Sequence, residues 1–217
     1  MRPKKKAGVY TSLVGDNGDL IARVAGLYLT RGMIVADVTY GKGVFWRKVD
    51  TKQFDFRPSD LLTCKKKYDF RKLPYKKGEL DVVVLDPPYA HNPGAMIVDA
   101  NYKNAATTKG KYHKDIIQLY REGMEEAFRV LKVGGQLWVK CKDEVESSYQ
   151  RWSHLELYVI ARELGFYGKD FFVMTQKSDP VIQHAVQNHA RKNHSYLWVF
   201  KKPADRETRD LKKFSIP

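Results

Sequence analysis

Cysteine is scarce in this chain. Cys64 and Cys141 are the only two among 217 residues. Their spacing fits neither a metal site nor a disulfide framework, so a reducing, cytoplasmic setting is expected. Long apolar runs are missing too: no stretch approaches the roughly 20 residues of a membrane span. Met1-Arg2-Pro3-Lys4-Lys5-Lys6 has none of the apolar character of a secretory signal. Negative charge is also short, with 25 Asp and Glu against 39 Lys and Arg, a net +14. That excess favours a polyanion, nucleic acid above all, through counterion release and steering. What remains is globular in composition, 43% hydrophobic and 12% aromatic. The length suits one α/β domain over 1–217, with a basic arm at 1–10 and a charged tail at 202–217.

The apolar, β-branched run Leu80-Asp81-Val82-Val83-Val84-Leu85 predicts a strand buried on both faces. Asp86-Pro87-Pro88-Tyr89 follows at once. Two prolines extend neither strand nor helix freely, so the chain leaves the sheet abruptly. A carboxylate, a stiff turn with free carbonyls and an aromatic ring are thereby placed at the carboxyl end of a strand, where open α/β sheets bind ligands. A second such edge is predicted where Met33-Ile34-Val35-Ala36-Asp37-Val38 runs into Thr39-Tyr40-Gly41-Lys42-Gly43, an acid followed by glycines that let backbone approach a ligand.

Around these two points the elements fall in order. Asp16 or Asn17 caps a helix over Asp19–Leu29, placed after a turn-rich Thr11–Gly18 segment. Between Gly43 and Phe54 there is room for one or two helical turns only, and Gln53–Arg57 reads as a strand. An acid about 20 residues beyond such a loop usually grips ribose. Asp60, 23 residues after Asp37, fits that position, with Asp55 and Asp50 as competitors. Tyr68–Tyr75 brings another acid-aromatic pair on a loop. Ile116, Ile117, Tyr120, Met124, Ala127, Phe128 and Leu131 repeat at helical spacing and predict an amphipathic helix over Lys114–Leu131, ended by Val133-Gly134-Gly135. Gln136–Cys141 is then a strand and Trp152–Leu164 a helix. Lys169–Thr175 and His194–Phe200 are neighbouring antiparallel strands, since no full crossover helix fits between them.

Two polar segments, Ala90–His113 with Tyr102 and Tyr112, and Ser178–Asn193, are candidate substrate loops. His184 and His189 are five apart and lack a completing Cys or acid, so no metal is expected.

Together these pieces resemble the S-adenosylmethionine-dependent amino-methyltransferases that modify adenine N6 or cytosine N4 in DNA. Asp37-Val38-Thr39-Tyr40-Gly41-Lys42-Gly43 is similar to that family's cofactor loop, Asp86-Pro87-Pro88-Tyr89 matches its catalytic tetrad, and Arg191–Phe200 is similar to the segment entering its final hairpin. The resemblance implies a Rossmann-like class I methyltransferase fold: a mostly parallel seven-stranded sheet, helices on both faces, and an antiparallel last strand. It implies catalytic roles for Asp86, Pro87, Pro88 and Tyr89. Cofactor contacts are implied from Asp37, Thr39, Gly41 and Gly43, from Asp60 to the ribose, and from Asp69 and Phe70 to the adenine ring. Tyr102, Tyr112, Lys140, Arg191 and Asn193 are expected at the nucleic acid. Adenine N6 in DNA is the leading target and a monomer or homodimer the expected state. Cytosine N4, an RNA base amine, or a nucleic-acid-binding protein on an inactive methyltransferase fold are the alternatives. One departure stands out: the large target-recognition region of sequence-specific members is missing, which predicts a relaxed or very short recognition sequence, or specificity borrowed from a second subunit.

Overall fold

The computed structural model describes residues 8–61, 63–87, 112–177 and 188–204. Pro88, Tyr89 and Tyr102, with most of both candidate substrate loops, the start of the basic arm and most of the tail, lie outside the described residues. The elements are β1 (Ser12–Val14), α1 (Asn17–Tyr28), β2 (Ile34–Asp37), β3 (Asp55–Pro58), β4 (Leu80–Leu85), α2 (His113–Val130), β5 (Leu131–Cys141), β6 (Glu144–Glu146), β7 (Tyr149–Arg151), α3 (Ser153–Glu163), β8 (Tyr167–Thr175) and β9 (His194–Lys201). Two short 3-10 turns, Val44–Trp46 and Thr51–Gln53, occupy the linker after the glycine loop.

Seven strands form one sheet in the order β1-β8-β9-β5-β4-β2-β3. β4 sits between β2 and β5, parallel to both, which is why its side chains are apolar on both faces. β9 is antiparallel to β5 and to β8, and its pairing with β8 is the one expected from the sequence. The strand alternation divides the core in two. Val83, Leu85, Leu137 and Val139 face α2 and α3. Val35, Val82, Val84 and Trp138 face α1, whose Leu20, Ile21 and Val24 are buried against them. Asp16 caps α1 in a reciprocal box with Asp19.

Three boundaries differ from expectation. The Thr11–Gly18 segment contains β1, a short edge strand paired with β8. α2 ends at Val130 and the chain passes directly into β5, so Val133-Gly134-Gly135 belongs to an irregular strand start instead of a helix terminator. A second sheet, the β6–β7 hairpin, follows β5 where no element was expected. No helix among the described residues is long and apolar enough to cross a membrane.

Candidate active site

The carboxyl ends of β2, β4 and β5 are adjacent, and each ends in a group with unusual surroundings. At the end of β2, Asp37 is buried; its carboxylate accepts the Trp46 indole N–H at 2.6 Å and the Thr39 N–H at 3.0 Å. Burial pushes its pKa up to about 7, against those two donors and with the help of nearby Asp86 and Asp60. The loop beyond it turns through left-handed Gly41 and Gly43. A Cβ on Gly43 would collide with the Tyr40 ring, so this position requires glycine on two counts.

At the end of β4, Asp86 is partly buried, and its Oδ1 is wholly buried with no hydrogen-bond partner among the described residues. Burial pushes its pKa up to about 6, and the Lys140 charge opposes that rise. Its backbone N–H donates to Thr39 Oγ1 at 2.7 Å, joining the glycine loop to the turn after β4. Pro87, next in the chain, is buried. On β5, Val139 stands opposite Leu85, which puts Lys140 alongside Asp86. Lys140 is 1% exposed. Burial lowers its pKa while Asp86 pulls it back up. A residue expected at the nucleic acid is therefore the buried counter-charge of Asp86.

At the end of β3, Asp60 faces the glycine loop. It accepts Gly41 N–H at 3.3 Å and Thr63 N–H at 2.9 Å, and the Thr63 hydroxyl returns to Gly41 O at 2.7 Å. Of the three competing acids, Asp60 alone makes this contact with the loop. Asp55 pairs with Arg57, and Asp50 caps the turn at Thr51. Ser59, not singled out from sequence, has a buried hydroxyl without a partner among the described residues, and its backbone holds both Asp37 O and Tyr40 N–H. Its only signal in the chain is its place before Asp60.

The remaining expected residues are less closely gathered. Phe70 lies over Gly123 of α2, close to Leu85 and so near the end of β4. Asp69 beside it is paired with Arg71 at 2.7 Å. Tyr112 is exposed at the start of α2. Arg191 is exposed ahead of β9, and Asn193 accepts Gln176 N–H through its carbonyl at 2.7 Å.

Two histidine clusters were not foreseen. His113 places its ring nitrogens 2.8 Å from Glu144 and 2.9 Å from Glu156, and its N–H donates to Glu146 at 2.7 Å. His154 meets buried Asp143 at 2.8 Å, and Asp143 also accepts the Tyr196 hydroxyl at 3.3 Å. Among the described residues no group of His, Cys, Asp or Glu is arranged to hold a metal.

Comparison with solved structures places the fold. A S-adenosylmethionine-dependent methyltransferase from Methanosarcina mazei superposes with a TM-score of 0.54 at 11% identity, covering 84% of this chain and 98% of that one. The PH0226 protein of Pyrococcus horikoshii gives 0.52 at 14% identity, covering 85% and 89%. TrmN from Thermus thermophilus gives 0.50 at 17% identity over 85% of this chain, which spans 48% of TrmN. The fold is thus the Rossmann-like one of S-adenosylmethionine-dependent methyltransferases. No curated protein matches the chain by sequence. The family model N6_N4_Mtase, described as DNA methylase, matches residues 80–217, from the first residue of β4 through Asp86 to the C-terminal Pro217. The chain belongs to the N6/N4 DNA methylase family.

Proposed function

We propose that this protein transfers a methyl group from S-adenosylmethionine to the N6 amine of adenine in DNA. The observation that carries the reading is the orphaned, buried Oδ1 of Asp86. A buried acceptor without a donor is uncommon in a folded protein and costs stability. An exocyclic amine brought to the end of β4 supplies the missing donor.

The surroundings fit the cofactor. Asp37 and the Gly41–Gly43 loop would hold its methionine end, and Asp60, with the orphaned Ser59 hydroxyl beside it, its ribose. Phe70, near the end of β4, would border the adenine ring. Bound there, S-adenosylmethionine supplies a methyl carbon made electrophilic by its sulfonium. The protein's task is to make a poor nucleophile adequate. A base amine delocalises its lone pair into the ring. Hydrogen bonds from its two N–H groups to the Asp86 carboxylate and the Pro87 carbonyl favour a pyramidal nitrogen with that lone pair directed outward. The rest is positioning and electrostatic complementarity. Lys140 keeps the Asp86 carboxylate ionised enough to accept. Tyr89 is assigned the stacking face for the extruded base.

Adenine is favoured because cytosine-N4 enzymes of this kind more often carry Ser at the position of Asp86. DNA is favoured by the family description. The test is incubation with methyl-labelled cofactor and separate DNA and RNA pools, followed by nucleoside mass spectrometry. N6-methyldeoxyadenosine is the expected product. Label found only in RNA, or only at cytosine N4, overturns the corresponding part of the reading.

A further inference from the structure

The β6–β7 hairpin leaves the sheet directly beyond Lys140-Cys141-Lys142-Asp143, on the same carboxyl edge as Asp86. Its two-residue turn is Ser147-Ser148, and both residues adopt left-handed backbone, φ 50° and 66°. That conformation suits a tight hairpin, but Asn-Gly is its usual occupant, so two serines there hold a disfavoured geometry. The hairpin is fastened on three sides. Glu144 meets His113, the last residue of the Ala90–His113 segment, at the start of α2. Glu146 takes the His113 N–H and also pairs with Arg151 at 2.7 Å. Ser148 O accepts the His189 Nε2–H at 2.9 Å from the segment preceding β9. A strained turn is thus gripped by the flanks of both candidate substrate loops. Beside it Tyr149 is 69% exposed.

We propose that this hairpin is the protein's nucleic-acid recognition finger, with Tyr149 stacking on a base of the strand that flanks the target nucleotide. This rests on the reading of Asp86 as the methylation centre, from which the hairpin is displaced along the same sheet edge. The charge pattern suits a phosphate backbone. Glu146 is ion-paired with Arg151, and Glu144 meets the His113 ring, which Glu156 meets from its other nitrogen, so these carboxylates turn toward partners within the protein. Lys142, half-buried at the base of the hairpin, is within electrostatic reach of Lys192, which precedes β9 at the same edge because Tyr196 pairs with Cys141, so two cations stand beside the hairpin. A stacking residue needs no particular base, which agrees with the relaxed recognition expected from the sequence.

The experiment measures binding of a labelled oligonucleotide by fluorescence anisotropy, cofactor binding by calorimetry, and methyl transfer, for wild type, Tyr149→Ala and Tyr149→Phe. Tyr149→Ala is expected to weaken oligonucleotide binding and raise the KM for nucleic acid about tenfold, as loss of one aromatic stacking partner does. Cofactor affinity should be unchanged, and Tyr149→Phe should bind as wild type does. Because Tyr149 is exposed, neither change threatens the fold. Oligonucleotide binding by Tyr149→Ala within twofold of wild type overturns the proposal, as does equal loss in Tyr149→Phe. Wild-type protein that binds the oligonucleotide but transfers no methyl group refutes the methylation reading instead, and the Tyr149 comparison then still decides the role of the hairpin.

Discussion

The Thr39 hydroxyl accepts the backbone N–H of Asp86 at 2.7 Å, so the loop after β2 and the turn after β4 share one hydrogen bond. Thr39→Val keeps the shape and deletes the acceptor, leaving the amide without this partner. Turnover should fall about ten- to hundredfold, because small displacements of a reacting group are that costly. Cofactor affinity should change much less, and Thr39→Ser should restore turnover. Steady-state kinetics with calorimetry separates these effects.

If Asp86 accepts the target amine as proposed, it should set the acid limb of the reaction. Its pKa is raised to about 6, so lowering the pH through 6 protonates the acceptor, and kcat/KM should drop tenfold per unit below it. Stability runs the opposite way. The folded protein holds this proton more tightly than the unfolded chain, so stability falls as pH rises from the ordinary carboxylate range to about 6. Asp86→Asn should therefore raise stability at neutral pH by up to roughly 3 kcal/mol while abolishing transfer. Denaturant melts at pH 5 and pH 8 check it: the gain should be larger at pH 8.

Asp37 should couple cofactor binding to pH. Burial raises its pKa to about 7, and a cofactor cation at this end of the loop needs the ionised form. Affinity for S-adenosylmethionine should weaken toward tenfold per unit as pH falls below about 7, and Asp37→Ala should weaken it at every pH. Calorimetry across pH 5.5 to 8 reads both.

His113 fastens the start of α2. Burial alone would lower its pKa, but Glu144 and Glu156 outweigh it and the net shift is upward. Its contribution is complete below the unfolded histidine value and is lost as pH rises through the folded one. His113→Gln should cost about 1–3 kcal/mol in mild acid, with the difference from wild type shrinking in alkali. Parallel thermal melts test the sign.

Gly123 gives the Phe70 ring its seat. A Cβ there would come within 2.8 Å of that ring. Gly123→Ala improves helix propensity by about 1 kcal/mol. Displacing the ring should cost about 1–3 kcal/mol, so the net effect is destabilising, with weaker cofactor binding if Phe70 borders the adenine.

Much of this arrangement is legible in the chain. β4 and α2 announce themselves by a continuous apolar run and a 3.6-residue stripe, and both acids stand where an apolar strand stops. The β6–β7 hairpin does not, because Glu-Val-Glu-Ser-Ser-Tyr-Gln-Arg has no apolar alternation and no Asn-Gly turn. Its strands are held by side chains distant in sequence, His113 and His189, which local pattern does not reveal. β1 is hidden for a similar reason: three residues become a strand only where β8 offers an edge. The burial of Lys140 was masked by its strand, covered on both faces, so that no polar face marks where a lysine would reach water.

The pairing of β1 with β8 also bears on how the molecule is made. Ser12 lies opposite Val173, so β1 finds its partner strand only 161 residues further along the chain. Contacts so distant in sequence close late and slow folding. Until β8 and β9 arrive, the apolar stripe of α1 lacks Phe172, Met174, Leu197 and Val199, its cover on that side of the sheet. A nascent chain that has already made Asp37, Asp86 and Lys140 therefore still lacks part of the core beneath them.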